Sequence, residues 1–120
     1  VWGTGSVRRE FLHVDDLADA CLFVMNLSVE QYCANTSPML SHINAGTGTD
    51  VTIRELAEMI KEIIGFSGDI VFNPEQPDGT PRKLLDVSKL RHLGWEATTS
   101  LRDGITDTYR WYAEHPPATG

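Results

Sequence analysis

The chain has 120 residues, 41% of them hydrophobic, which suffices for one modest core. Ten Lys and Arg stand against seventeen Asp and Glu, a formal net charge of −7. That balance argues against general binding to nucleic acid or to an anionic membrane. No apolar run approaches the ~20 residues that span a bilayer.

The chain starts at Val1 with no secretory leader, and Val1-Trp2-Gly3-Thr4-Gly5 reads as the middle of a longer protein. Cys21 and Cys33 have no CxxC spacing and suit a reducing, cytoplasmic setting. Asn26-Leu27-Ser28 and Asn35-Thr36-Ser37 match the glycosylation pattern, by chance in the absence of a leader.

Residues 1–8 are Gly-rich and read as a loop. Residues 10–14, with aromatic and β-branched side chains, predict a short strand. Asp15 or Asp16 is then placed to cap a helix whose buried face carries Leu17, Ala20, Cys21, Val24 and Met25. The pattern fades near residues 26–27, and the polar stretch 31–38 reads as a surface loop. A second short strand is expected at 42–45, before Gly46-Thr47-Gly48.

Thr52-Ile53-Arg54-Glu55 is a capping box that opens the best-signalled helix. Its stripe is Ile53, Leu56, Ala57, Ile60, Ile63 and Ile64, and Gly65 supplies a left-handed end. Residues 69–72 read as a third strand, and 74–81, with three of the six prolines, as a long loop. Asp86 is placed to cap a short helix through Leu93, stopped at Gly94 with Trp95 behind it. Ser100 caps the last helix, striped by Leu101, Ile105, Tyr109 and Tyr112 and closed by Pro116-Pro117. Alternating short strands and helices predict an α/β fold.

The chemistry is sparse. Gly3-Thr4-Gly5 and Gly46-Thr47-Gly48 complete neither GxGxxG nor a Walker motif, and Asp50 would oppose a phosphate at the second. Both read as turns. The four histidines lack the i, i+4 spacing of a helical zinc site, and His13 reads as structural. Asp15-Asp16 reads as a cap with a favourable helix-dipole contact. No nucleophile elbow is present.

The paired cations Arg8-Arg9 and Arg82-Lys83 lie beside Gly- and Pro-containing loops. They read either as solvated charge or as a fork for a phosphate or diphosphate. Trp2 offers a face for stacking. Asp78, in Pro77-Asp78-Gly79, is a turn residue that can also accept from vicinal hydroxyls or a guanine edge.

Residues 1–18, from Val1-Trp2-Gly3-Thr4-Gly5 through Arg9-Glu10-Phe11-Leu12-His13-Val14 to Asp16-Leu17-Ala18, resemble the Gly-x-Gly…Arg-(Asp/Glu)-(Phe/Tyr) segment of extended short-chain dehydrogenases/reductases acting on nucleotide sugars. Ser41-His42-Ile43-Asn44-Ala45-Gly46-Thr47-Gly48 is similar to that group's strand end. Pro77-Asp78-Gly79-Thr80-Pro81-Arg82-Lys83-Leu84-Leu85-Asp86, with Leu93-Gly94-Trp95, resembles the GDP-L-fucose synthase family. These are NADPH-dependent 3,5-epimerase/4-reductases of GDP-4-keto-6-deoxy-D-mannose.

The resemblance implies a C-terminal, substrate-binding part of a Rossmann-type protein, with short strands and three to four helices. About residues 15–45 would return to the Rossmann domain, and the rest would form the substrate domain. Trp2, Arg9, Asp78 and Lys83 match positions that hold the GDP-sugar, while Arg8 stays surface charge. The dinucleotide fingerprint, the Tyr-x-x-x-Lys pair, and the catalytic Ser, Cys and His have no counterpart here, so Cys21, Cys33 and His13 inherit no such role. NADPH would bind the N-terminal part, the chain alone would be inactive, and the whole enzyme would be a cytoplasmic homodimer that engages neither nucleic acid nor membrane. The alternatives are another nucleotide-sugar epimerase or dehydratase, or a non-catalytic binding module derived from one.

Overall fold

The structure, a computed structural model, describes residues 1–116. The elements run β1 (Arg8–Arg9), α1 (Val14–Met25), α2 (Val29–Asn35), β2 (Val51–Thr52), α3 (Ile53–Ile64), β3 (Arg82–Lys83), α4 (Ser88–Leu93) and α5 (Leu101–Glu114). The α/β expectation is borne out, with one helix more than expected. The sheet order is β2-β1-β3, and β1 runs antiparallel to β2 with Arg8 opposite Thr52 and Arg9 opposite Val51. The chain divides into two compact units: Val1–Arg9, Val51–Arg82 and the segment from Ser100 onward, and Glu10–Asp50 with Lys83–Thr99.

In the first unit the capping box forms as the sequence requires. The Thr52 hydroxyl accepts from the Glu55 N–H at 3.0 Å, and the Glu55 carboxylate accepts from the Thr52 N–H at 2.7 Å. Two further N–H groups at this helix start, those of Ile53 and Arg54, donate to the carbonyls of Val7 and Gly5, each at 3.0 Å. The start of α3 is thereby stitched to the glycine loop, which answers the donors that any helix leaves unpaired. Gly65, at φ 67°, ends α3. Ser100 caps α5 by accepting from the Asp103 N–H at 3.1 Å. Pro117, expected to help close α5, lies outside the described residues.

In the second unit Ala20, Leu90 and Trp95 form a buried cluster, with Leu12, Phe23, Val24, Ile43, Ala45 and Ala97 packed against it. Trp95 donates its indole N–H to Asp19 at 2.8 Å, so the largest core side chain is also satisfied.

Four expectations are corrected. The cap of α1 is His13, whose Nδ1 accepts from the Asp15 N–H at 3.4 Å; neither aspartate serves. Asp16 lies inside the first turn and is buried, accepting from the Thr98 hydroxyl at 3.1 Å and the Thr99 N–H at 2.9 Å. Residues 31–38 are not all loop, because α2 forms under a Ser28–Gln31 capping box. No residue of α2 is buried, so it carried no apolar stripe to read.

The expected strands at 10–14, 42–45 and 69–72 are also absent. The ladder is confined to Arg8–Arg9, and the other two stretches have no paired strand among the described residues beyond a single Trp2–Asn73 bridge. Finally, Asp86 acts from one residue before the α4 cap: its carboxylate accepts from the Ser88 N–H at 2.9 Å, while Val87 occupies the cap without a side-chain bond.

Burial pushes the Asp16 carboxyl up, but the bonds from Thr99 and Thr98 outweigh it and hold the group below the ordinary aspartate value. A lowered folded-state value stabilises fully above the unfolded value and is lost as pH falls through the folded one. Asp16→Asn is expected to cost about 2 kcal/mol near neutral pH. The gap to the parent sequence should close in acid, measured by denaturant unfolding across that range.

Candidate functional site

In the first unit, residues 1–3 lie alongside Asn73. The Gly3 N–H donates to the Asn73 carbonyl and the Asn73 N–H to the Val1 carbonyl, both at 2.9 Å. With its backbone held on both sides, Trp2 remains 75% exposed as a residue. An exposed indole on a fixed backbone is prepaid for stacking, because little conformational entropy remains to be lost.

Asp78 holds the same loop from the other side. Its two carboxylate oxygens accept from the Thr4 N–H at 2.7 Å and the Thr4 hydroxyl at 2.8 Å. Those bonds, the hydroxyl first, keep its carboxyl below the usual range. Gly3 sits at φ 77°, and a Cβ there would collide with the Asp78 carboxylate. The glycine is thus required twice, by its backbone angle and by the approach of Asp78. The Gly5 N–H adds to these bonds, and a carboxylate's two oxygens offer about four acceptor sites in all.

Arg9 lies next to the same turn. Its guanidinium donates to the Arg8 carbonyl at 2.6 Å, and a Cβ on Gly79 would stand 3.7 Å from its Nη2. The structure therefore gathers Trp2, Arg9 and Asp78 within one unit, on the 1–5 loop, on β1 and on the 77–79 turn.

The sequence reading missed Arg54. It donates to the Thr4 carbonyl at 2.9 Å and stacks 3.8 Å over the centre of the Phe72 ring, and that ring packs against Gly5. Its place inside the capping box drew attention only to the helix; nothing in the local pattern pointed to the loop.

Lys83 belongs to the second unit, where it ends β3 and is exposed. It lines a cavity of about 420 Å³ with Glu10, Leu12, Ala45, Gly46, Leu84 and Leu85. Glu10, also missed, accepts from the Gly48 N–H at 2.6 Å, the Thr47 hydroxyl at 3.3 Å and the Leu85 N–H at 2.9 Å. Gly46-Thr47-Gly48 is therefore wrapped around an internal carboxylate, and Arg91 ties the Thr47 carbonyl at 3.1 Å. A loop filled by its own anion does not fit the phosphates of a dinucleotide. Among the described residues no cluster of His, Cys, Asp and Glu is arranged for a metal, and no helix is long and apolar enough to cross a membrane.

The pattern of the NAD dependent epimerase/dehydratase family matches residues 1–36. The GDP-L-fucose synthase of Escherichia coli (strain K12) is 56% identical over 115 residues, 96% of this chain and 36% of that protein. Residues 1–36 carry that family's pattern, and the likeness to this GDP-L-fucose synthase runs over nearly the whole chain. A second relative, putative GDP-L-fucose synthase 2 of Arabidopsis thaliana, is 55% identical over 96% of the chain and 32% of its own length. The chain thus spans about a third of the length of these relatives. Among solved structures, a GDP-6-OMe-4-keto-L-xylo-heptose reductase from C. jejuni shares 47% identity with a TM-score of 0.85, covering 95% of the chain and 33% of its own. A GDP-L-fucose synthetase from Naegleria fowleri bound to NADP, at 24% identity over 99% and 35%, shares the fold with a TM-score of 0.83. The resemblance to GDP-L-fucose synthases read from residues 77–86 is borne out.

The Asp78–Thr4 contact predicts a local signature. Asp78→Ala is expected to speed amide hydrogen exchange at Thr4 at least tenfold, the order of one lost charge-assisted bond. Exchange at α3 amides should stay as it was, read residue by residue by NMR.

Proposed function

We propose that the chain is the GDP-sugar-holding part of an NADPH-dependent epimerase/reductase that converts GDP-4-keto-6-deoxy-D-mannose to GDP-L-fucose. One observation carries the reading. GDP recurs in the names of relatives and neighbours at 46–56% identity whose sugars and reactions differ, among them fucose synthases, a heptose synthase and a heptose reductase. A nucleotide common to their names, alongside a common stretch of sequence, supports a nucleotide-holding role for that stretch.

Arg9 neutralises diphosphate oxygens through its guanidinium fork. Trp2 stacks on the base or the sugar. Asp78 accepts from a nucleotide hydroxyl or ring N–H with the acceptor capacity that Thr4 and Gly5 leave. Lys83 brings a point charge to a phosphate. The hydride donor and the groups that move protons at C3, C5 and O4 belong to the rest of the enzyme, so the chain alone is inactive. The closure of the Gly46-Thr47-Gly48 loop around Glu10 supports a dinucleotide site elsewhere.

Residues 15–45 belong, in this reading, to the dinucleotide domain of the whole enzyme. In support, 42–45 has no strand partner among the described residues, yet Ile43 and Ala45 pack into the second unit's core. The whole enzyme is a homodimer in the cytoplasm, a compartment that fits two free, exposed cysteines.

In the full-length enzyme Arg9→Ala is expected to weaken GDP binding by about 10- to 100-fold, the loss of a charged, bidentate contact. NADPH affinity should not change, and calorimetric titration reads both. GDP affinity untouched by the substitution would overturn the assignment. UDP competing as well as GDP would move the chain toward enzymes such as the UDP-glucose 4-epimerase of Thermotoga maritima, 28% identical with a TM-score of 0.77.

A further inference from the structure

We propose that Glu10 is a positioning residue that sets Lys83 in place for the phosphate of the nucleotide sugar. The inference rests on the role given to Lys83 above and adds the residue through which that role is enforced.

The geometry is that of a clamp. One carboxylate collects three donors from two separate segments, Thr47 and Gly48 on one and Leu85 on the other. Lys83 stands two residues before Leu85, and both it and Glu10 line the same cavity. Lys83 is itself the last residue of the two-residue strand β3, which holds the chain up to it. After it, no regular element begins until Ser88, and the segment is tied by the Leu85 N–H to Glu10 at 2.9 Å and, one residue further, by the Asn44 side-chain amide donating to the Asp86 carbonyl at 3.2 Å; of the two, the Glu10 bond lies nearer Lys83.

An exposed lysine on a loose segment would lose much of its reach to rotamer and backbone freedom. Anchoring the segment at both ends removes the backbone share of that cost before any ligand arrives. Gly46 is built for the same purpose. A Cβ there would lie 2.5 Å from a carboxylate oxygen of Glu10, and its φ lies outside the left-handed range. What excludes a side chain at Gly46 is therefore the space the carboxylate occupies.

The test uses the full-length enzyme and a double-mutant cycle read as the Kd for GDP. Lys83→Ala is expected to raise Kd by about tenfold, the order of one charged contact. Glu10→Gln keeps the size but turns an NH₂ toward at least one of the three donors. It should raise Kd by about three- to tenfold. The double variant should match Lys83→Ala alone, because Glu10 acts through Lys83. Glu10→Asp, which keeps the charge, should recover part of the loss. Gly46→Ala, which displaces the carboxylate without removing it, should reproduce Glu10→Gln and keeps the test open if Glu10→Gln fails to fold.

Factors that multiply in the double variant, or a Glu10→Gln protein that binds GDP as before, overturn the inference while leaving the Lys83 assignment intact. A Lys83→Ala protein that binds GDP as before overturns the assignment itself, and the inference with it. NADPH affinity, measured in parallel, separates either result from general loss of structure.

Discussion

Backbone N–H groups outside helices need acceptors, and this chain has little sheet to supply them. Its three strands are two residues long. Carboxylates serve as acceptors in place of a ladder. Asp78 receives the Thr4 N–H, Asp16 that of Thr99, and Glu10 those of Gly48 and Leu85. Each is a charge-assisted bond, stronger than the neutral ladder bond it replaces. The acidic composition thus has an internal use. Part of the excess of Asp and Glu holds loops, and only the remainder bears on solubility or partner choice.

That constraint explains which parts of the fold were legible. The α3 capping box and the caps of α3 and α5 are local devices, set by residues three positions apart or at the helix end, and they form as read. Gly94 ends α4 in the left-handed region for the same local reason. The strands were not legible because ladder partners are decided far along the chain. Residues 10–14 have the composition of a strand, yet the ladder stops at Arg9, and the carboxylate of Glu10 binds Gly48 and Leu85. α2 was missed because it lacks any buried face; a Ser28–Gln31 capping box was its one signal.

The site divides in the same way. Trp2, Arg9, Asp78 and Lys83 were found through motif resemblance, and composition alone stops at paired cations beside loops. The structure adds where the first three sit and what each already touches. It also adds Glu10 and Arg54, whose work is invisible in sequence because their partners are carbonyls, amides and a ring 18 to 75 positions away. A glutamate after an arginine looks like a surface pair; only the geometry shows it filling a glycine loop.

The tryptophans carry a consequence of their own. Trp95 is buried and bonded to Asp19, while Trp2 is exposed and Trp111 stacks on His115 with ring centres 4.8 Å apart. The emission of the buried Trp95 is therefore set apart from that of the two exposed rings. Trp95 emits at short wavelength and shifts to the red only when the second unit's core opens. Trp2 emits as a solvated indole, and Trp111 emits from an exposed ring stacked on its histidine neighbour. The chain carries intrinsic fluorophores that distinguish melting of a core from events at the exposed loop, with no label attached.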